Sequence, residues 1–144
     1  MEIHDMPGHL IRRLHQSSTQ IFTVEMRAAR IDLTPVQFGA LAAISANPGL
    51  DQAGIATAIT YDRATVGGVV ERLIRKGLIN RTVSERDRRS RELRLTPEGE
   101  ALYAEALPVV RGMQERLTAG LGEDDRAEFM RLLRLTLRLV EGAS

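Results

Sequence analysis

At 144 residues, 43% of them hydrophobic and with a formal net charge of +1, the chain has the length of one compact domain. It contains no cysteine, which excludes disulfides, thiolate metal sites, a cysteine nucleophile and thiol-oxidation sensing. No apolar run approaches the roughly 20 residues of a membrane span, and residues 1–7 are polar without a signal-peptide core. The expectation is a soluble cytoplasmic protein that does not engage a membrane.

Leu10, Leu14, Ser17, Ile21 and Ala28 recur at helical spacing, which predicts a long first helix over about 8–30. Thr34 is a good N-cap and Pro35 suits the first position of a second helix. That helix carries Phe38, Leu41, Ala42 and Ile44 and stops at Asn47-Pro48-Gly49. Asp51 caps a short third helix with Ile55, Ala56 and Ile59. After a turn at Thr60-Tyr61, Asp62 caps a fourth helix running to Lys76, with Gly77 just past its end. The period then changes. Residues 78–83 read as a strand, and 92–96 alternate polar and apolar as a half-buried strand does. Between them lies an almost wholly charged loop. Thr96 and Pro97 restart a helix through Leu102, Ala106, Val109, Val110, Met113 and Leu117, and Pro108 is expected to kink or split it. Gly120 and Gly122 interrupt, and a last helix runs from Glu123 or Asp124 through Phe129, Leu132, Leu133, Leu137 and Val140.

Charge is distributed unevenly. Between Arg63 and Arg94 stand ten basic residues against four acidic ones, a balance of +6 that leaves −5 for the rest of the chain. Such asymmetry suits a nucleic-acid face, and the competing reading is a solvated, salt-bridged surface. The order decides between them. A short helix, a tight turn, a second helix and then a basic hairpin is the winged form of the helix-turn-helix. The expected fold is mostly α with a small β-hairpin wing, flanked by long terminal helices. The fourth helix begins with small side chains, Ala64, Thr65, Gly67 and Gly68, that let its backbone lie deep in a major groove. The hairpin loop Arg86-Asp87-Arg88-Arg89-Ser90-Arg91 can put a guanidinium into a narrow minor groove, where negative potential is enhanced. Gly67-Gly68 is no phosphate-cradling loop, because no strand precedes it in a βαβ unit.

These features carry a resemblance. Leu33-Thr34-Pro35 with Phe38 and Leu41, Asp51-Gln52, Ile55-Ala56, Asp62-Arg63-Ala64-Thr65-Val66, Arg72-Leu73, Lys76-Gly77-Leu78-Ile79, Asp87-Arg88-Arg89 and Leu95-Thr96-Pro97-Glu98-Gly99 follow one another as in the multiple antibiotic resistance regulator (MarR) family of bacterial repressors, which the chain resembles from its first helix to its last. The resemblance implies a single domain over 1–144. Its reader would span about 34–98, and its dimerisation helices about 8–30 and 100–142. It implies a homodimer in which Leu10 to Leu14 and Phe129 to Val140 meet the partner. It also implies that the fourth helix reads the major groove, that Arg89 enters the minor groove beside Arg88, and that Asp87 orients the loop. The candidate DNA contacts are therefore Gln52, Arg63, Ala64, Thr65, Gly68, Arg72, Asp87, Arg88, Arg89 and Arg91. Gly68 departs from relatives with an arginine there, so base reading shifts to Arg63, Thr65 and Arg72. Thr65 has a second possible duty in the first helical turn. Arg75 and Lys76 stay open between phosphate and solvent.

The resemblance further implies a ligand pocket between the first helix, the second helix and the helix after the hairpin. His9, Arg12, His15, Thr19 and Phe38 are its candidate residues, and a small aromatic carboxylate or phenol is its expected occupant. His15 reads alternatively as a polar residue of the dimer interface. His4, His9 and His15 have no cysteine or acidic partner at ligand spacing, so no metal is expected. No cofactor motif and no nucleophile-base pattern stands out, so no enzyme is expected. The overall expectation is a repressor of a catabolic or efflux operon that binds a pseudo-palindromic operator. The alternative is a protein-interaction module of the same fold.

Overall fold

A computed structural model describes residues 2–143. After a single 3-10 turn at Ile3–Asp5, the elements run α1 (Pro7–Ala28), α2 (Pro35–Ala46), α3 (Gln52–Ile59), α4 (Arg63–Arg75), β1 (Ile79–Val83), β2 (Arg91–Leu95), α5 (Pro97–Leu117) and α6 (Glu123–Gly142). The expected winged helix-turn-helix with long terminal helices is the architecture observed.

The helix starts follow from local chemistry. Thr34, Asp51, Asp62 and Thr96 each cap the helix behind them by accepting a backbone amide three residues on. At α2 the cap is reciprocal: Gln37 donates its amide to Thr34 Oγ1, and Gln37 Oε1 accepts from the Thr34 amide. Gly77, at φ 73, ends α4 in the left-handed conformation that favours glycine.

Pro108 does not split α5, which is continuous from Pro97 to Leu117. One ring removes one backbone hydrogen bond, while Ala106 and Met113, on either side of it, are buried in the core and hold the helix together.

One core serves the whole reader. Leu41 and Ile44 of α2, Ile55 of α3, Val66, Val70 and Leu73 of α4, and Ile79 and Leu93 of the hairpin are fully buried together. α5 adds Ala106 and Met113, and α1 adds Phe22 and Met26. The hairpin is antiparallel, with Ile79 opposite Leu95 and Val83 opposite Arg91. The Asn47-Pro48-Gly49 break has a further use. The Gly49 amide donates to the Leu93 carbonyl, and the Leu93 amide to the Leu50 carbonyl, so this link pairs with β2 and braces the wing. Gly49 has φ 93, and a Cβ there would crowd the Arg94 guanidinium.

α6 stands apart. None of its residues is buried, and Leu132, Leu137, Leu139 and Val140 are exposed. The N-terminal half of α1 is similar, with Leu10, Ile11 and Leu14 exposed.

Candidate nucleic-acid interface

The recognition element is built around the turn between α3 and α4. Thr60 takes the left-handed conformation at φ 58, and the Tyr61 amide donates back to the Ala56 carbonyl. Asp62 then starts α4. Its carboxylate accepts the Thr65 amide at 2.8 Å and the Thr65 hydroxyl at 2.7 Å. These bonds, the hydroxyl foremost, hold the Asp62 carboxyl below the usual carboxylate range. The Thr65 hydroxyl therefore already serves the first turn.

α4 has two faces. Val66, Val69, Val70 and Leu73 are buried, while Arg63, Ala64, Thr65, Gly68, Glu71, Arg72 and Arg75 are exposed. The middle of the exposed face is bare: a Cβ on Gly68 would meet nothing within 4 Å. Gly67 lies under the Gln52 amide, whose Nε2 would be 3.1 Å from a Cβ there. Gln52 of α3 thus rests against the recognition helix, a contact the sequence order does not reveal.

The wing is organised by its own backbone. Ser84, buried at the end of β1, accepts the amides of Arg86 and Asp87 on its hydroxyl. The Ser84 amide donates to the Ser90 carbonyl, and the Ser90 amide to the Asp87 carbonyl. Asp87 Oδ1 accepts the Arg89 amide at 3.0 Å, which ties the backbone of the loop tip. The Arg91 guanidinium donates to the Arg88 carbonyl at 3.1 Å. Among the described residues, Arg86, Arg88 and Arg89 join no ion pair. Arg81 and Arg94 are paired, with Glu71 at 2.7 Å and Glu92 at 3.3 Å.

A cleft of about 580 Å³ separates the start of α3 from the wing. It brings together Gln52, Asp87, Arg89 and Arg91 of the candidate DNA contacts, with Asp51 and Arg81 beside them. Arg63, Ala64, Thr65, Gly68 and Arg72 belong to the exposed face of α4 and do not line that cleft. Lys76 has another duty. Its ammonium donates to the Asp32 carbonyl at 2.6 Å and to Gln37 Oε1 at 3.3 Å, and lies 3.2 Å from the Asp32 carboxylate.

The candidate ligand residues are spread along α1 and α2. His9 is half-buried, its ring edge-on to His4 at 5.6 Å. Arg12, His15 and Thr19 are exposed on α1. Phe38 is half-buried on α2 against Tyr103 of α5, ring centres 5.6 Å apart. Among the described residues no cluster of three or more His, Asp or Glu side chains is placed to hold a metal ion, and no helix is long and apolar enough to cross a membrane.

A bare-faced helix after a tight turn, flanked by an arginine-tipped hairpin, defines a winged helix-turn-helix of the DNA-reading class. The MarR family model matches residues 31–90. The HTH-type transcriptional repressor NicR of Pseudomonas putida is 32% identical over 142 residues, covering 99% of this chain and 89% of NicR. The Streptomyces coelicolor regulator PcaV, solved with its natural ligand, superposes with a TM-score of 0.87 at 32% identity, covering 100% of this chain and 98% of PcaV. Bordetella bronchiseptica BpsR, solved to explain regulation of its DNA binding by 6-hydroxynicotinic acid, superposes with a TM-score of 0.87 at 31% identity, covering 94% of this chain and 96% of BpsR. The chain belongs to the MarR family of DNA-binding transcription regulators and is not an enzyme.

Proposed function

We propose that the protein is a cytoplasmic homodimeric repressor whose two recognition helices enter successive major grooves of a pseudo-palindromic operator. Half-site centres then lie about 34 Å apart, one helical turn. The observation that carries this reading is that Arg86, Arg88 and Arg89 join no ion pair among the described residues and stand on a wing whose backbone is held by Ser84 and Asp87, beside an exposed α4 face. Gln52, Asp87, Arg88, Arg89 and Arg91 serve the backbone and minor groove. Arg63, Ala64, Thr65, Gly68 and Arg72 form the major-groove face. Arg63 and Arg72 supply most base contacts, because Gly68 has no side chain and the Thr65 hydroxyl is engaged by Asp62.

The repressor controls a catabolic or efflux operon and leaves its operator when a small aromatic carboxylate or phenol binds. BpsR, whose DNA binding responds to 6-hydroxynicotinic acid, supports that ligand class. His9, Arg12, His15, Thr19 and Phe38 provide its pocket once the partner subunit covers the exposed half of α1. A carboxylate leaving water needs such a cationic partner.

Gel-shift with the DNA upstream of the protein's own gene tests the reading. Salt-sensitive, sequence-selective binding is expected. Failure to shift any such fragment at low salt would leave the protein an interaction module of the same fold.

A further inference from the structure

Lys76 stands at the C-cap of the recognition helix and reaches out of the DNA-reading unit. α4 itself packs on α2, α3 and β1. The Lys76 side chain extends beyond these elements to Asp32, in the link that leaves α1. Its ammonium faces the Asp32 carbonyl, the Asp32 carboxylate and Gln37 Oε1. An ammonium has three N–H donors, so three acceptors take all of them and none is kept for a phosphate.

Asp32 is a fixed point. Ile31 and Leu33, on either side of it, are buried, and the Ile31 amide donates to the Met26 carbonyl, which ties the link back onto the last turn of α1. α1 is in turn packed on α5, with Glu25 paired to Arg116. Gln37 belongs to the capping box that starts α2. Lys76 therefore joins the end of α4 to the long helices. Apolar packing also holds α4 close, but it is non-directional, whereas a charged hydrogen bond has a length and a direction. The angle matters because the lever is long. The 13-residue helix is about 20 Å long, so a tilt of about 10° about its N-terminal turn carries the Lys76 end about 3.4 Å, the rise of one base pair.

We propose that Lys76 is a positioning residue for DNA reading. By tying the end of α4 to the base of α1 it sets the angle of the recognition helix against the long helices, and so fixes which half-site spacing the homodimer accepts. The inference rests on the homodimeric repressor reading given above. Lys76 touches neither base nor phosphate in this role. With the tether in place, a duplex of the wrong spacing must break it or be bent to fit. Without it, both recognition helices swing, and the wrong spacing is penalised less.

Two duplexes test it: the operator found by gel-shift, and the same half-sites with one base pair added between them. Fluorescence anisotropy gives the ratio of the two affinities. Both come from one sample, so an inactive fraction cancels. Wild type should prefer the natural spacing, and Lys76→Cys should reduce that preference roughly tenfold at unchanged salt dependence. The chain has no other cysteine, so 2-bromoethylamine alkylates position 76 alone and returns an ammonium at lysine length, which should restore the preference. Lys76→Met keeps the apolar stem, should behave as Lys76→Cys does, and carries the test if the shorter side chain fails to fold. A preference left intact by both variants, or not restored by aminoethylation, would overturn the positioning role. So would a salt slope flattened by about 1.8 in Lys76→Met, which would make Lys76 a phosphate ligand in each subunit. A wild type that binds its operator but accepts both spacings equally would overturn this inference alone. A wild type that binds no DNA would overturn the repressor reading and this inference with it.

Discussion

Arg89→Ala is the sharpest test of the wing. Arg89 is exposed, its amide is fixed by Asp87, and its guanidinium joins no ion pair among the described residues. Truncation therefore costs the fold within about 0.5 kcal/mol, as for other surface positions free of special contacts. The effect falls on DNA. A side chain that reads DNA contributes about 1–3 kcal/mol, and a dimer on its operator loses two. The expected loss is about 2–6 kcal/mol, or roughly 30-fold to 20,000-fold in affinity. Losing two phosphate-neutralising charges also flattens the salt slope by about 1.8. Fluorescence anisotropy with an operator duplex across roughly 50–200 mM salt measures both quantities. Arg94→Ala is the charge-matched control, because its guanidinium is paired with Glu92. Superimposable curves for Arg89→Ala and wild type would refute the wing assignment, and so would an equal loss for Arg94→Ala.

The remaining tests concern the scaffold. Gly99→Ala should lower stability by about 3 kcal/mol, because its Cβ would run into the Leu78 carbonyl, which already accepts the Thr96 amide; denaturant unfolding should show a lower midpoint at unchanged slope. Thr60→Gly should raise stability by about 1 kcal/mol by releasing a β-branched residue from the left-handed region, read as a higher thermal midpoint. Asp62 has a folded-state pKa below its unfolded value, so its contribution is present above roughly pH 4 and is lost as pH falls through the lower folded value. Hydrogen exchange at the Thr65 and Val66 amides should therefore report looser protection of the start of α4 in that acid window, and Asp62→Asn should remove the pH dependence.

The parts legible in the sequence are the local ones. Thr34, Asp51, Asp62 and Thr96 reach amides three residues away, so each cap is written within one turn of chain. The wing loop is equally local, and Asp87 is legible in it, whereas Ser84 is not, because a buried serine at a strand end has no distinctive pattern. What could not be read depends on distant pairings. Lys76 meets Asp32 and Gln37 across 44 and 39 residues, which makes a tether of a side chain that the sequence leaves open between phosphate and solvent. Gln52 over Gly67 joins two helices at a point where neither glycine nor glutamine signals contact. The local rule at Pro108 allows a kink or a split, and burial of Ala106 and Met113 on either side keeps the helix from splitting.

The apolar faces left open on α1 and α6 make a last prediction about folding. α6 buries none of its 20 residues within the chain, yet it is helical along its whole length. Helices gain most of their stability in proteins from packing an apolar face. Leu132, Leu137, Leu139 and Val140 of α6, with Leu10, Ile11 and Leu14 of α1, present such faces without cover in their own chain. In the proposed homodimer a second copy supplies the cover, which makes two chains the folding unit. Unfolding then becomes bimolecular in reverse, and its midpoint depends on concentration. At about 0.7 kcal/mol per residue, a dimer of this 144-residue chain unfolds with an enthalpy on the order of 200 kcal/mol. A tenfold increase in concentration adds about 1.4 kcal/mol per dimer, which moves the midpoint by roughly 2–3 °C. Calorimetry over a hundredfold concentration range, with sedimentation on the same samples, reads this directly. Leu137→Glu should abolish the dependence together with the dimer. A constant midpoint with a monomer mass in wild type would show that the chain is stable with these faces in water, and the two-chain folding unit would have to be given up.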